Sequence, residues 1–242
     1  MSNSDDEDIF NDEADLTILR QMYTSDKAKE SESKKEHARI LNSVPIFLSS
    51  LPKSISYAIQ GGRAVMAWLD PENKSLTQEE KKHIKSIDWD IVVDMSQEEA
   101  KEFTRFMKSQ LEKQLKIKLV IRDENILVRN LGEKVYTYQI GIPEMQSDDW
   151  FVDIHPERID KSDVIEMQGL LYFKLKVLMD QIEKVNNPQK LTRRFVKYQV
   201  MKRALQDMSL FNRKMYEKIK ADCLNKNTET ITGFNLNCKD IK

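Results

Sequence analysis

Three aspartates and a pair of glycines are the residues of this sequence whose types and spacing could do chemistry. Asp88 and Asp90 stand in "DWDIVV", Asp153 in "WFVDIHP", and Gly61 and Gly62 in "AIQGGRAVM". Side chains alternate between the faces of a strand, so Asp88 and Asp90 would share one face of the strand that their apolar neighbours predict. Two unpaired carboxylates held side by side repel each other, and a divalent cation between them removes that repulsion. The spacing therefore predicts a cation site.

The same acids also fit a purely structural role. Asp88 would then cap the strand, Asp94 would cap the helix that follows, and Asp90 would be exposed at the edge of a sheet. Asp-x-Asp is a common sequence, so the pair alone does not decide between the two interpretations.

The glycines lie where a strand-like run, "YAIQ", turns into a helix-like pattern, "RAVMAWLD". Glycine lets the backbone approach a bulky ligand, and the free N–H groups of a first helical turn attract anions. A triphosphate suits this arrangement, while a plain tight turn has the same sequence. Together with the paired acids and Asp153, the glycines favour two-metal phosphoryl transfer, in which one metal activates a hydroxyl and the other steadies the leaving pyrophosphate.

The stretches "GGRAVMAWL", "DWDIVV" and "FVDIHP", within residues 57–156, resemble the nucleotidyltransferase fold of the polymerase-beta superfamily. Within it they are similar to the poly(A) polymerase catalytic subunits of large cytoplasmic DNA viruses. The resemblance implies an α+β fold, with a nucleotidyltransferase-type mixed sheet and flanking helices, followed by a helical C-terminal domain.

The resemblance also implies roles for individual residues. Asp88, Asp90 and Asp153 would be catalytic and would hold Mg²⁺ or Mn²⁺. Gly61 and Gly62 would approach the incoming nucleoside triphosphate.

Basic residues add to the expected nucleotide site. The stretch "GLLYFKLKVLMD" resembles a helix that offers a lysine to the phosphates in related enzymes, with Lys174 as the better match and Lys176 as the second. Arg63 is placed with Lys174 in the nucleotide-binding set, although a side chain in the first helical turn can also point to solvent. The stretch "RRFVKYQVMKRAL" lacks the aspartate that relatives carry there, so Arg194 and Lys197 are predicted on the solvated face of an amphipathic helix.

Histidine and tryptophan near the acids receive supporting roles. His155 follows Asp153 by two positions, and two-metal phosphoryl transfer asks little of a general base. We therefore expect His155 at the strand end or beside a metal ligand. Trp89 and Trp150 are expected to pack in the core, although either could stack on a base near a cleft.

Composition shifts along the chain suggest four regions. Residues 1–38 form an acidic and polar tail that is expected to be disordered and could bind a protein partner. Residues 39–160 form the catalytic core, 161–224 a helical domain, and 225–242 a loosely ordered tail. Residues 161–242 carry 17 lysines and arginines against 9 aspartates and glutamates, which favours a polyanionic partner. A helical domain with lysine-covered solvated faces has the same charge excess.

Hydrophobic periodicity predicts the elements of the core. "ILNSVPIFLSSLP" predicts a short helix or helix pair, and "SQEEAKEFTRFMKSQLEKQL" an amphipathic helix with a capping box from Ser96 to Glu99. "PENKSLTQEEKKHIKS" is expected to be a polar insert. "SYAIQ" and "IDWDIVVDM" predict strands, and four short strand candidates follow: "KIKLVIRD", "NILVRNL", "KVYTYQIGIP" and "DWFVDIHP".

The remaining features point to a cytoplasmic, reducing compartment. The acidic N-terminus is unlike a secretory signal, and no apolar run reaches the roughly 20 residues of a membrane span. Cys223 and Cys238 stand in a polar stretch without a nearby histidine, which indicates neither a disulfide framework nor a zinc site.

These observations favour an enzyme that adds nucleotides, AMP from ATP, to an RNA 3′ end. The alternatives are a nucleotidyltransferase acting on a tRNA, a protein or a small molecule, and a non-catalytic relative that serves as an interaction subunit. A glycosyltransferase also uses Asp-x-Asp, but residues 1–56 are too polar and too short to supply its nucleotide-binding half.

Overall fold

A computed structural model describes most of the chain: residues 35, 37–86, 88–127, 134–143, 150–183, 188–225, 229–236 and 238. Ile40–Lys242 forms one compact unit. Met1–Arg39 is separate from it, and only residues 35 and 37–39 of it are described, as helix. The predicted acidic tail therefore lies almost wholly outside the described residues.

The compact unit is built on a seven-stranded sheet with the order β3-β4-β5-β2-β1-β7-β6. The strands are β1 (Tyr57–Gln60), β2 (Trp89–Val93), β3 (Val120–Leu127), β4 (Lys134–Gly141), β5 (Val152–Pro156), β6 (Val164–Met167) and β7 (Leu170–Phe173). β2 pairs with β5 in parallel and with β1 in antiparallel orientation, so the sheet is mixed.

Helices flank this sheet. They are α1 (37–49), α2 (Gly61–Trp68), α3 (Gln78–Ile84), α4 (Gln97–Leu115), α5 (Leu175–Glu183), α6 (Pro188–Ala204), α7 (Arg213–Leu224) and α8 (Glu229–Thr232). The predicted α+β class with a mixed sheet and flanking helices is confirmed.

The strand that carries the acids is held at the centre of the sheet by its apolar residues. Ile91, Val92 and Val93 are almost completely buried, and burial of three such side chains stabilises the fold by several kcal/mol, at about 1.5–3 kcal/mol each. Because β2 lies between β5 and β1, Asp90 is not at a sheet edge. This position excludes the structural alternative for Asp90.

Helix α4 begins as the sequence predicts. The Ser96 hydroxyl accepts from the Glu99 N–H, and the Glu99 carboxylate accepts from the Ser96 N–H. Asp94 therefore does not cap this helix. The same reciprocal arrangement, with Thr77 and Glu80, begins α3 inside the predicted polar insert, so that insert contains a helix that the sequence analysis missed.

Two other element predictions are wrong. The segments "KIKLVIRD" and "NILVRNL" do not form separate strands, because Val120–Leu127 is one continuous strand. The prediction that the chain is helical from residue 161 is wrong for 164–173, where β6 and β7 form a hairpin and join the main sheet. Gln168 and Gly169 turn that hairpin with positive φ angles.

The two cysteines also differ from expectation. Cys223 and Cys238 form a disulfide, with their Cα atoms 5.5 Å apart. The link joins the last turn of α7 to the chain beyond α8. Among the described residues, no helix is long and apolar enough to span a membrane.

Candidate active site

Two of the three predicted site acids, Asp90 and Asp153, lie in one row that crosses the sheet. Strand pairing sets Asp90 opposite Asp153 on one side and opposite Gln60 on the other. The row continues from Asp153 to Gln139 and from Gln139 to Arg122. Five polar side chains on five adjacent strands therefore project from one level of the sheet.

The glycine turn is packed directly against this row. Gly61 has a φ of +63°, and a Cβ built on it would lie 1.8 Å from Asp90 Oδ2. A Cβ on Gly62 would lie 2.4 Å from the Ser86 side chain and 3.2 Å from Lys197 Nζ. Both glycines are thus needed to let the start of α2 approach a carboxylate and an ammonium of the protein itself.

A histidine completes a group of possible metal ligands. His155 Nε2 lies 3.9 Å from Asp90 Oδ1, and ligand atoms of Asp90, Asp153 and His155 all lie within 4.8 Å of one another. On the other side of the ring, His155 Nδ1 lies 3.2 Å from the hydroxyl of Thr137 on β4. The Asp90 side chain keeps 23 % of its surface exposed, so an ion can reach the group from solvent.

The pKa of Asp153 is changed by burial and by a neighbouring charge. Desolvation and the carboxylate of Asp90 raise the pKa of Asp153 to about 6. The amide of Gln139 opposes this rise because its Nε2 donates to Asp153 Oδ1 at 2.7 Å. Gln139 is itself held by Arg122, whose Nε and Nη2 both donate to the amide oxygen.

Asp90 ionises more readily than its partner. Burial opposes ionisation, but His155, Lys197 and Arg194 together outweigh it and hold the pKa of Asp90 below its ordinary value. Two adjacent carboxyl groups with pKa values moved in opposite directions are typical of sites that bind a cation or move a proton.

Asp88 lies beside the group without joining it. Its carboxylate accepts from the Ser86 hydroxyl, and its carbonyl oxygen accepts from Arg63 Nε at 3.3 Å. The guanidinium of Arg63 lies 4.9 Å from the centre of the Trp89 ring. The charge of Asp88 nevertheless contributes to the raised pKa of Asp153.

The positively charged side chain beside the acids is that of Lys197 on α6. Lys197 is only 8 % exposed, so the prediction that it lies on a solvated helix face is wrong. Burial and the nearby charge of Arg193 lower the pKa of Lys197 to about 8, while Asp90 and Asp88 act in the opposite direction.

Lys174 occupies a different place, immediately before α5. Its N–H donates to the carbonyl of Asp163 at 2.8 Å, and its charge helps to lower the pKa of Asp160. Its neighbour Lys176 forms an ion pair with Asp180 on α5. The groups that lower the pKa of Asp90 are instead His155, Lys197 and Arg194.

The sequence analysis missed the residues that hold the acids in place. Thr137 and Gln139 are both buried. They stand two positions apart in "KVYTYQIGIP", so they lie on the same face of β4. Polar residues at alternate positions of an otherwise apolar strand were a usable signal, because buried polar side chains need partners.

Comparison with known proteins finds likeness among solved structures. No protein-family model and no curated protein matches the chain. A similar solved structure is the crystal structure of the Megavirus polyadenylate synthase, with 13 % sequence identity and a TM-score of 0.43. The alignment covers 83 % of this chain and 39 % of that one, so this chain spans about two fifths of the length of the solved chain.

Proposed function

We propose that this protein is a metal-dependent nucleotidyltransferase that adds nucleotides, AMP from ATP, to an RNA 3′ end. One observation supports the proposal above all others. Asp90 and Asp153 stand in register on adjacent parallel strands, and a glycine turn that opens a helix lies against Asp90. Paired carboxylates beside a helix N-terminus suit the reaction of a nucleoside triphosphate with a hydroxyl.

The donor set fits Mg²⁺ or Mn²⁺. Asp88, Asp90 and Asp153 would hold the ions through carboxylate oxygens, which are the ligands that these hard cations prefer. When bound, such ions activate an attacking hydroxyl and neutralise charge on the leaving pyrophosphate. Burial and the charge of Asp90 raise the pKa of Asp153, and a cation bound between the two carboxylates would offset this rise.

The nucleotide would lie against the start of α2. Gly61, Gly62 and Arg63 are the proposed contacts from that turn, and the N–H groups of the first turn favour an anion. Two lysines are candidates for the phosphate-binding cation. Lys174 is the residue that the sequence predicts, whereas the position of Lys197 beside Gly62 favours Lys197.

The charge of the C-terminal part of the chain is the basis for the proposed acceptor. The excess of basic residues after 160 favours RNA. Other acceptors remain the second candidate: a tRNA, a protein hydroxyl or a small molecule. We also propose that the acidic N-terminal tail, residues 1–38, binds a protein partner.

Primer extension tests the proposed activity. A short labelled RNA is incubated with each nucleoside triphosphate separately and with Mg²⁺ or Mn²⁺. We expect a ladder with ATP that the Asp88→Ala/Asp90→Ala variant loses by about 10³-fold or more, because several kcal/mol of charge stabilisation disappear.

Asp94→Asn serves as the matched control for this test. Asp94 is exposed and lies immediately after β2, so the control should retain full activity. A ladder of equal strength in wild type and double variant would contradict the proposal. Absence of any ladder, with nucleotide binding retained in calorimetry, would favour a different acceptor.

The two lysine candidates can be separated by substitution. We expect Lys197→Gln to weaken nucleotide binding by about 10- to 100-fold, since a charge-assisted hydrogen bond contributes roughly 1.5–3 kcal/mol. Lys174→Gln should change it less than about threefold. Titration with a non-hydrolysable ATP analogue measures both, with exposed Lys202→Gln on the same helix as Lys197 as control. A larger loss for Lys174→Gln would assign the role to Lys174 instead.

A further inference from the structure

We propose that His155 is a direct ligand of the metal ion at this site, and that the site therefore takes Mn²⁺ in preference to Mg²⁺. The inference rests on the proposed function, because it concerns the same cation. It changes the expected ligand set, in which His155 only supports Asp153, and it assigns the metal preference to one residue.

The imidazole presents a buried nitrogen toward Asp90. No described residue hydrogen-bonds to His155 Nε2, although a buried polar atom without a partner is costly. It faces Asp90 Oδ1 across 3.9 Å, which is too long for a hydrogen bond. Two octahedral ligands bound to one ion at about 2.1 Å lie about 3.0 Å apart when adjacent and about 4.2 Å apart when opposite, so one ion can bind both atoms after a small movement of the side chains.

Neighbours on β4 hold the ligands in orientation. Thr137 contacts His155 Nδ1 at 3.2 Å, and Gln139 donates to Asp153 Oδ1 at 2.7 Å. The contact at Nδ1 leaves His155 Nε2 to face Asp90. Metal-binding histidines and carboxylates commonly have such supporting hydrogen bonds.

The contact with Thr137 is compatible with the tautomer that a metal ligand needs. When Nδ1–H donates to the Thr137 hydroxyl, Nε2 keeps its lone pair and can bind a metal. Thr137 is fully buried, so no solvent competes for this hydrogen bond.

The nitrogen ligand determines which metal is preferred. Mg²⁺ takes oxygen ligands almost exclusively, whereas imidazole suits transition-metal ions. Of the two cofactors considered, Mn²⁺ gains from the imidazole and Mg²⁺ does not. A simple ion pair between protonated His155 and Asp90 is the competing explanation, and it predicts no nitrogen on the metal.

Metal titration and pulsed electron paramagnetic resonance test the proposal on the full chain, purified without a histidine tag. Calorimetry measures Mn²⁺ and Mg²⁺ binding, and the electron-spin-echo envelope of bound Mn²⁺ reports a directly bound ¹⁴N nucleus. For His155→Asn we expect Mn²⁺ binding to weaken about tenfold or more, Mg²⁺ binding to change less than threefold, and the ¹⁴N modulation to disappear.

The chain offers a control that does not depend on how well the His155 variant folds. It contains three histidines, so the His37→Asn/His83→Asn variant leaves His155 as the sole histidine. This variant should keep the ¹⁴N modulation and the Mn²⁺ affinity. Asp90→Asn should weaken binding of both metals.

The outcomes separate this inference from the proposed function. Metal binding that depends on Asp90 but shows no ¹⁴N modulation in the wild-type protein would overturn the role of His155 and leave the proposed function intact. Absence of metal binding in the wild-type protein would overturn both. Loss of the modulation in the variant with His155 as sole histidine would also overturn the role.

Discussion

The Asp153→Asn variant is expected to be more stable than the wild-type protein at pH 7 and to lose nucleotide transfer. Burial and Asp90 raise the pKa of Asp153 from 3.8 to about 6. That rise corresponds to an ionisation cost of about 3 kcal/mol in the folded state above pH 6. Asparagine has nearly the same shape, can still accept from Gln139, and carries no charge.

The pH dependence follows from the direction of this shift. Between pH 4 and 6 the unfolded chain releases the Asp153 proton while the folded protein retains it, so the stability of the wild-type protein falls as the pH rises. The variant lacks this fall. The two proteins should therefore unfold alike below about pH 4, and the variant should unfold later above pH 6, by up to about 3 kcal/mol or roughly 6–12 °C.

Thermal unfolding in the presence of a chelator, measured from pH 3.5 to 8, checks the expectation. Asp94→Asn is the control, because that exposed aspartate should give curves that match the wild type. Asp90→Asn should instead lower the stability at neutral pH, since the pKa of Asp90 is lowered by His155, Lys197 and Arg194. A stability gain for Asp153→Asn that does not change with pH would contradict this account of the site.

The strand that carries Asp90 and the turn at the two glycines could be predicted from the sequence because their signals are local. "DWDIVV" predicts a buried strand with two acids on one face, and the glycine pair marks the turn into α2. The capping box at Ser96 likewise needs only four residues. Each of these signals depends on backbone geometry that the neighbouring residues already determine.

The position of Lys197 beside the acids could not be predicted from local signals. Lys197 stands in a helix whose sequence suits a solvated face, and only the packing of α6 against α3 and α5 brings its ammonium next to Gly62. The contact joins residues 135 positions apart. Long-range packing overrides the local pattern here, and no period in the sequence encodes it.

The hairpin of β6 and β7 was missed for a different reason. Its strands have four residues each, which is too short for a clear alternation. Gly169 was the stronger signal, because a two-residue hairpin turn with positive φ at both positions favours glycine. β7 then pairs with β1, the strand that ends at the glycine turn.

Gly61→Ala is expected to damage the site far more than an equally strained substitution elsewhere. Gly61 has a φ of +63°, and its new methyl group would lie 1.8 Å from Asp90 Oδ2 and 2.7 Å from Asp90 Cγ. The aspartate side chain is short and stands on a central strand, so its carboxylate must turn away from the position that faces Asp153 and His155. Metal binding and nucleotide transfer should both fall by about 100-fold or more.

Gly169→Ala separates this displacement from backbone strain. Gly169 has a φ of +77°, and a Cβ there would meet nothing within 4 Å. The left-handed conformation costs each alanine variant about 1–2 kcal/mol, so both should lose that much stability. Only Gly61→Ala should also lose affinity for Mn²⁺ in calorimetry. Equal metal affinity in the two variants would mean that Gly61 shapes the turn without setting the position of Asp90.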